Sequence, residues 1–317
     1  MHNDQAHPSL DPLAAARTRR LLALGSAGPE GPSAWLHEEV ARRMLERLDI
    51  IRLQPQAWAH WEPVAGGWQA HQALRARYAQ QPCWLVTEHP AAVQALQQAA
   101  QPAWWQPARW RQRPAPEHLG LPAAGSVQMV WANMGLHLSA QPQTLMAAWH
   151  AALAVDGFVM FSALGPDTVR QLRPIYQALG WGEPSHAYTD MHDWGDMLVH
   201  AGFAEPVMDM ERITLSFASP ERLLQELRGL GRNLHRERFA GLRGRAFQAR
   251  LLQALAEGAD RPNDGDPDRP VLRLDFEIIY GHALKPVPRV RVQAQSAIDL
   301  HDMRQILRSQ RSESDGR

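Results

Sequence analysis

VQMVWANMGLHL (Val127–Leu138) and, one amphipathic stretch later, LAVDGFVMFSALGPDT (Leu153–Thr168) decide the fold of this chain. The first segment is an apolar run that ends in the polar Asn133, and the second is an apolar run entered through Asp156-Gly157. Two buried strands joined by a helix form the second half of an open α/β nucleotide-cofactor fold. Working back from Val127, Cys83–Thr87 has the composition of a second short strand, followed by Glu88-His89-Pro90 and a helix to about Ala100. Ala57–Trp61 is expected as a first strand, Gly66-Gly67 as a turn and Trp68–Tyr78 as a helix. Trp35–Leu48 puts Leu36, Val40, Met44, Leu45 and Leu48 on one helical stripe. Residues 101–125, rich in Pro and Trp, give only a degenerate third strand and a long loop.

Working forward, a helix is expected over Pro166–Leu179, a second one capped by Asp190 and ended by Gly202, and a strand over Val207–Phe217. Helices over Pro220–Leu230 and Arg245–Glu257 form a helical insert spanning about 218–257. An acidic, Pro-rich linker at 259–270 leads to Val271–Leu284, which alternates as a last strand. The expected organisation is a polar N-terminal tail (1–33), one domain over 34–286 and a flexible C-terminal tail (287–317).

Composition narrows the function classes. With 33 Lys plus Arg against 33 Asp plus Glu, net charge gives no case for nucleic acid, and an electrostatic partner must be met by a local patch. One such patch exists: residues 228–250 hold seven arginines and one glutamate. The single cysteine, Cys83, excludes an internal disulfide and a multi-thiolate zinc cage. The 15 histidines show no metal-ligand spacing. Without a long apolar run or a signal-like start, the chain is expected to be cytoplasmic and to take no membrane partner.

Several segments resemble one family. GPDT (165–168), DMHD (190–193) with AGF (201–203), and LRGLGRN (227–233) are similar to the malonyl-acyl-carrier-protein O-methyltransferases of biotin synthesis, class I S-adenosylmethionine-dependent methyltransferases, over about Arg42–Pro286. The resemblance implies an α/β, Rossmann-like sheet with an antiparallel last strand, N-terminal helices and a helical cap insert. It also implies S-adenosylmethionine as cofactor, a carrier protein bearing a malonyl group as partner, and esterification of the malonyl carboxylate. Such chemistry asks little of side chains, because a carboxylate is already a nucleophile at neutral pH. The protein has to align the reactants and exclude water.

The cofactor loop departs from the family pattern. Trp61-Glu62-Pro63-Val64-Ala65-Gly66-Gly67 puts Trp61 where an acid is usual, and Pro63 and Ala65 where glycines are usual. That leaves Glu62, Gly66, Gly67, the ribose-type acid Glu88 and Asn133 as cofactor-binding candidates, with weak cofactor affinity expected. The acid expected near the adenine is replaced by Pro114 and Ala115, with Glu117 slightly late, and Gln128 stands where an Asp is usual. An aromatic N-terminal lid has only Trp35 to supply it. Arg212, Arg243 and Arg245 are substrate-binding candidates through their forked donors. His192-Asp193 reads as a helix cap sooner than as an acid–base pair, and His137 and His282 as structural. Two readings stay open: an active methyltransferase with an altered loop, or a noncatalytic protein of the same fold. The latter would bind a carrier protein or a sister methyltransferase, its pocket plugged by Trp61 and Pro63.

Overall fold

The computed structural model describes residues 9–24, 33–100, 115–239, 241, 243–258 and 271–288. In chain order the elements are α1 (Pro12–Ala23), α2 (Trp35–Arg47), β1 (Trp58–Trp61), α3 (Pro63–Gly66), α4 (Trp68–Arg77), β2 (Cys83–Val86), α5 (Pro90–Ala100), β3 (Glu117–Leu119) and β4 (Val127–Ala132). A tight turn at Leu136–Leu138 precedes α6 (Pro142–Ala152), β5 (Leu153–Leu164), α7 (Leu172–Ala178), α8 (Met191–His200), β6 (Ala204–Phe217), α9 (Pro220–Leu230), α10 (Arg245–Glu257) and β7 (Leu272–Leu284).

The strands form one sheet in the order β3-β2-β1-β4-β5-β7-β6. Strands β1 to β5 run parallel, whereas β7 is antiparallel to both β5 and β6. This is the class I methyltransferase sheet expected from the sequence. Chain order reverses between β1 and β4, so a crevice opens at the carboxyl ends of those two strands, where such sheets take ligands. β4 and the inner part of β5 are buried on both faces, which is why they read as continuous apolar runs. Entry into β5 needs Asp156 at φ 63° and no side chain at Gly157, where a Cβ would stand 2.9 Å from the Ala154 carbonyl oxygen. One face of the sheet packs Leu36, Met44, Trp58, Trp131 and Phe276 beneath α2, α4 and the cap. The other packs Trp149, Phe161, Trp194 and Leu198 beneath α6 and α8.

Two expectations are corrected. Residues 12–23, placed in a polar tail, form α1: Asp11 caps it by accepting from the Leu13 and Ala14 N–H groups, and Pro12 fits its first turn. Its buried residues are Ala14, Ala15, Thr18, Leu22 and Ala23, and all but Leu22 are small groups that carry little hydropathy signal. A backbone bridge from Leu10 to His235 and an Asp11–Arg238 ion pair at 2.7 Å fasten it to the cap. The helix expected from Pro166 begins only at Leu172, because the GPDT turn is tied to β7. There the Asp167 N–H donates to the Glu277 carboxylate and the Val169 N–H to the Asp275 carbonyl. The degenerate third strand is the short β3, specified by its pairing with β2. Most of the 101–125 loop and the 259–270 linker lie outside the described residues. The chain divides into Met1–Pro286, which holds every element above, and Val287–Arg317, of which only 287 and 288 are described. Among the described residues no helix is long and apolar enough to cross a membrane.

Candidate active site

Two cavities meet at the carboxyl edge of the sheet. The larger, about 700 Å³, lies over the ends of β1, β2 and β4 and is closed on one side by α6 and on another by α1. Where β1 ends, Glu62 adopts φ 51° and turns its carboxylate toward β2, accepting from the Thr87 hydroxyl at 2.8 Å and the Glu88 N–H at 2.9 Å. Burial lifts the Glu62 carboxyl above its ordinary value, although those two donors oppose the shift. Glu88 follows β2 with its carboxylate toward solvent, and Arg19 of α1 reaches across the cavity to it at 3.2 Å while donating to the Leu138 carbonyl. Trp61 is 8% exposed and packs edge-to-face on Trp149 with ring centres 6.4 Å apart. The pair forms a cavity wall, and Pro63 is not among the lining residues. Neither residue plugs the space.

The glycine-poor loop is held from behind. It folds as the single-turn helix α3, whose carbonyls are met by side chains. Ser33 Oγ donates to Val64, the His37 ring to Ala65, and the Asn133 amide to Gly66 and to His37. The Asn133 oxygen accepts from Ser162 Oγ at 2.6 Å, so both ends of this side chain are engaged. Its place in the cavity wall is structural, a brace between β4, β5, α2 and α3. Gly66 is required because a Cβ would come within 2.7 Å of the Asn133 carbonyl oxygen. Gly67, at φ 131°, leads into α4, whose first N–H groups are capped by Glu38. Gly66 and Gly67 therefore shape the loop without lining the cavity, whereas Glu62, Glu88 and Asn133 do line it. Glu117 is engaged elsewhere, by His71, Arg75 and Gln97, and Gln128 accepts from the Gln56 and Ala57 N–H groups. Trp35 is exposed and away from the cavity; α1 closes it instead, through Pro12 and Arg19.

The second cavity, about 390 Å³, lies between the ends of β4 and β5 and the cap helices. Its floor carries His37 and His137, 1% and 5% exposed. Burial pulls both imidazoles below their usual range, so both are neutral near pH 7. Because the His137 Nδ1 accepts from the Leu164 N–H, its proton resides on Nε2. Burial also pushes the Tyr188 hydroxyl up to about 12. At the cap end, Arg228, Arg232 and Arg243 line the cavity, and among the described residues no Asp or Glu does so. Arg243 stacks its guanidinium over Phe247, at 4.1 Å from the ring centre, and lies near Trp181 and Phe239.

Met134 and Leu138 line both cavities and form the wall between them. Met134 stands at φ 54°, with its N–H held by Ser162 Oγ at 3.0 Å, so backbone geometry fixes this wall. Of the three arginines expected to meet the substrate, only Arg243 lines a cavity. Arg212 pairs with Asp167 at 2.8 Å and braces the GPDT turn, and Arg245 is exposed at the start of α10. His192 and Asp193 give only their backbone N–H groups, which Asp190 caps. Sequence reading passed over Arg19, hidden in the supposed tail. It also missed Arg228 and Arg232, whose signals were the arginine excess and the LRGLGRN segment that contains them.

Comparison with known proteins gives consistent relatives. A malonyl-acyl-carrier-protein O-methyltransferase of Gallionella capsiferriformans is 39% identical over 266 residues, covering 81% of this chain and 87% of the relative. One from Laribacter hongkongensis is 34% identical over 275 residues, covering 84% and 89%. Among solved structures, the YcgJ protein of Bacillus subtilis superposes with a TM-score of 0.49 at 12% identity, covering 78% of this chain and 99% of that one. No family model matches the chain.

Proposed function

The chain belongs to the malonyl-acyl-carrier-protein O-methyltransferase family, and on that premise we propose that it esterifies the free carboxylate of a malonyl thioester on acyl carrier protein, with S-adenosylmethionine as methyl donor, in biotin synthesis. The observation that carries this reading is the pair of cavities of opposite character divided by Met134 and Leu138.

The larger cavity fits the cofactor. Its volume is within the range of about 300–1,000 Å³ usual for such ligands, and its lining carboxylates, Glu62 and Glu88, face a cationic ligand. Glu88 would accept from the ribose hydroxyls once Arg19 gave way, and Glu62 would take the amino-acid ammonium in place of the acid that Trp61 replaces. The cofactor supplies a methyl group on a sulfonium that carries its own leaving group. On the other side of Met134, the His137 Nε2–H is offered to an acceptor oxygen, and the apolar walls Leu164, Val169 and Leu172 exclude water. No side chain has to remove a proton, since the acceptor carboxylate is ionised at neutral pH. The reading of a plugged, noncatalytic pocket is not favoured, because the cavity is open where the plug was expected.

The test is direct. Purified protein, malonyl carrier protein and S-adenosylmethionine are expected to give the methyl ester, read by mass spectrometry. S-adenosylhomocysteine is expected to inhibit the reaction and to raise the melting temperature; at about 100 times its Kd the stabilisation is about 2.7 kcal/mol. Absence of ester together with absence of stabilisation at millimolar ligand would sink the proposal.

A further inference from the structure

The second cavity has one charged end and one neutral end. Arg228 and Arg232 are exposed and Arg243 half-buried, whereas His37 and His137 are almost wholly buried against the Met134 wall. Depth therefore runs from cations at the mouth to neutral imidazoles at the floor. Arg232 donates two hydrogen bonds, to the carbonyls of Arg228 and Gly231, which holds its guanidinium against the end of α9. The Arg228 charge acts unfavourably on Arg232, and an anion received between the two would relieve that. Among the described residues none is provided: no carboxylate lines the cavity, and none of the three arginines makes an ion pair. Forked guanidinium donors match the tetrahedral oxygens of a phosphate.

We propose that Arg228, Arg232 and Arg243 form a phosphate subsite at the mouth of the acceptor cavity. It takes the phosphate of the carrier protein's phosphopantetheine arm, while the acyl carboxylate is received at the histidine floor. The identity of the arm rests on the function proposed above; the subsite itself rests on the cavity. The assignment reverses the simplest expectation, in which an arginine holds the carboxylate. It also suits the chemistry, because a carboxylate held by a neutral N–H keeps more of its nucleophilicity than one neutralised by a guanidinium.

Binding of phosphopantetheine and of pantetheine to the full chain, each measured by calorimetry, tests the subsite without requiring turnover. The phosphorylated compound is expected to bind about tenfold more tightly, about 1.4 kcal/mol. In Arg228→Gln/Arg232→Gln that preference is expected to vanish while pantetheine and S-adenosylhomocysteine bind as before, and lysine at both positions restores part of it. Inorganic phosphate is expected to compete only with the phosphorylated compound. Equal binding of the two compounds by the native protein would overturn the subsite, as would a preference that survives in the double glutamine variant. A parallel loss of malonyl-pantetheine affinity in that variant would place the carboxylate on the arginines and overturn it too. A native protein that shows the phosphate preference yet methylates no malonyl thioester would refute the methyl-transfer reading and leave the subsite standing.

Discussion

The two cavities share a wall and differ in how their polar groups are held. Around the larger one, the groups come from strand ends and the turns that follow them: Trp61 and Glu62 after β1, Glu88 after β2, Asn133 after β4. Each is hydrogen-bonded into or packed against the core. Around the smaller one, the cations come from the cap, on α9 and in the segments between it and α10, and they touch the sheet through nothing but the cavity. A site made from strand ends cannot be altered without disturbing the fold, whereas one carried by cap helices can change its charge freely. The loop after β1, which departs far from a glycine-rich pattern, is correspondingly held by side chains from other elements. Ser33, His37 and Asn133 meet the carbonyls of α3 from behind.

Substitutions put the contrast at risk in order of expected effect. Trp61→Asp, which restores the usual acid, is expected to destabilise the protein by about 3–5 kcal/mol in urea unfolding, since it empties the space against Trp149. A stable variant with tighter S-adenosylhomocysteine binding would show that the strand-end cavity is as tolerant as the cap. Asn133→Ala leaves the Gly66 and His37 carbonyls and the Ser162 hydroxyl without their partner, and about 2–3 kcal/mol of lost stability is expected from the same measurement.

On the cap side, Arg243→Glu is expected to leave the urea midpoint nearly unchanged. It should weaken malonyl carrier protein about tenfold in KM, about 1.4 kcal/mol. A large loss of stability instead would erase the distinction between the two sites. Glu62→Gln probes burial by pH. The folded carboxyl is held above its ordinary value of 4.5, so its ionisation costs stability once the pH exceeds that of the unfolded chain's titration. The neutral amide escapes this cost, and the variant is expected to melt higher at pH 7–8, with the difference fading below about pH 4.5. Equal melting at both ends of the range would mean the carboxylate is not penalised by its surroundings. The smallest effect belongs to Arg19→Ala, whose ion pair with the exposed Glu88 contributes about 0.2–1 kcal/mol. S-adenosylhomocysteine is expected to bind slightly more tightly once Glu88 is free, and weaker binding would make Arg19 part of the cofactor site.

What could be seen in the sequence follows the same division. The apolar runs of β4 and β5 and the stripe of α2 announced themselves because large side chains face the core at regular spacing. Glu88 was visible as an acid closing a strand. α1 was not, because alanines, a threonine and a single leucine form its buried face and its arginines look like solvent-facing charge. β3 was legible only as a degenerate strand, for a different reason: three residues with little burial owe their conformation to β2 and to the Glu117 contacts with His71 and Arg75. Arg212 and Arg243 sit in equally family-like contexts, yet only the folded chain shows that Asp167 claims the first and a cavity the second. Arg228 and Arg232 were visible as excess charge but not as a pair, since nothing in their spacing tells which way the end of α9 faces.

The indoles around these cavities make the molecule its own optical instrument. Indole emission shifts in colour and yield with whatever lies against the ring. Trp61 and Trp149 stand edge-to-face in the wall of the larger cavity, while Trp181 lies near the Arg243 guanidinium that faces the smaller one. A ligand in either place changes the light from a different ring, and replacing Trp61 or Trp181 by phenylalanine assigns each part of the spectrum to its source. The two halves of the reaction can then be watched filling separately, with no label attached.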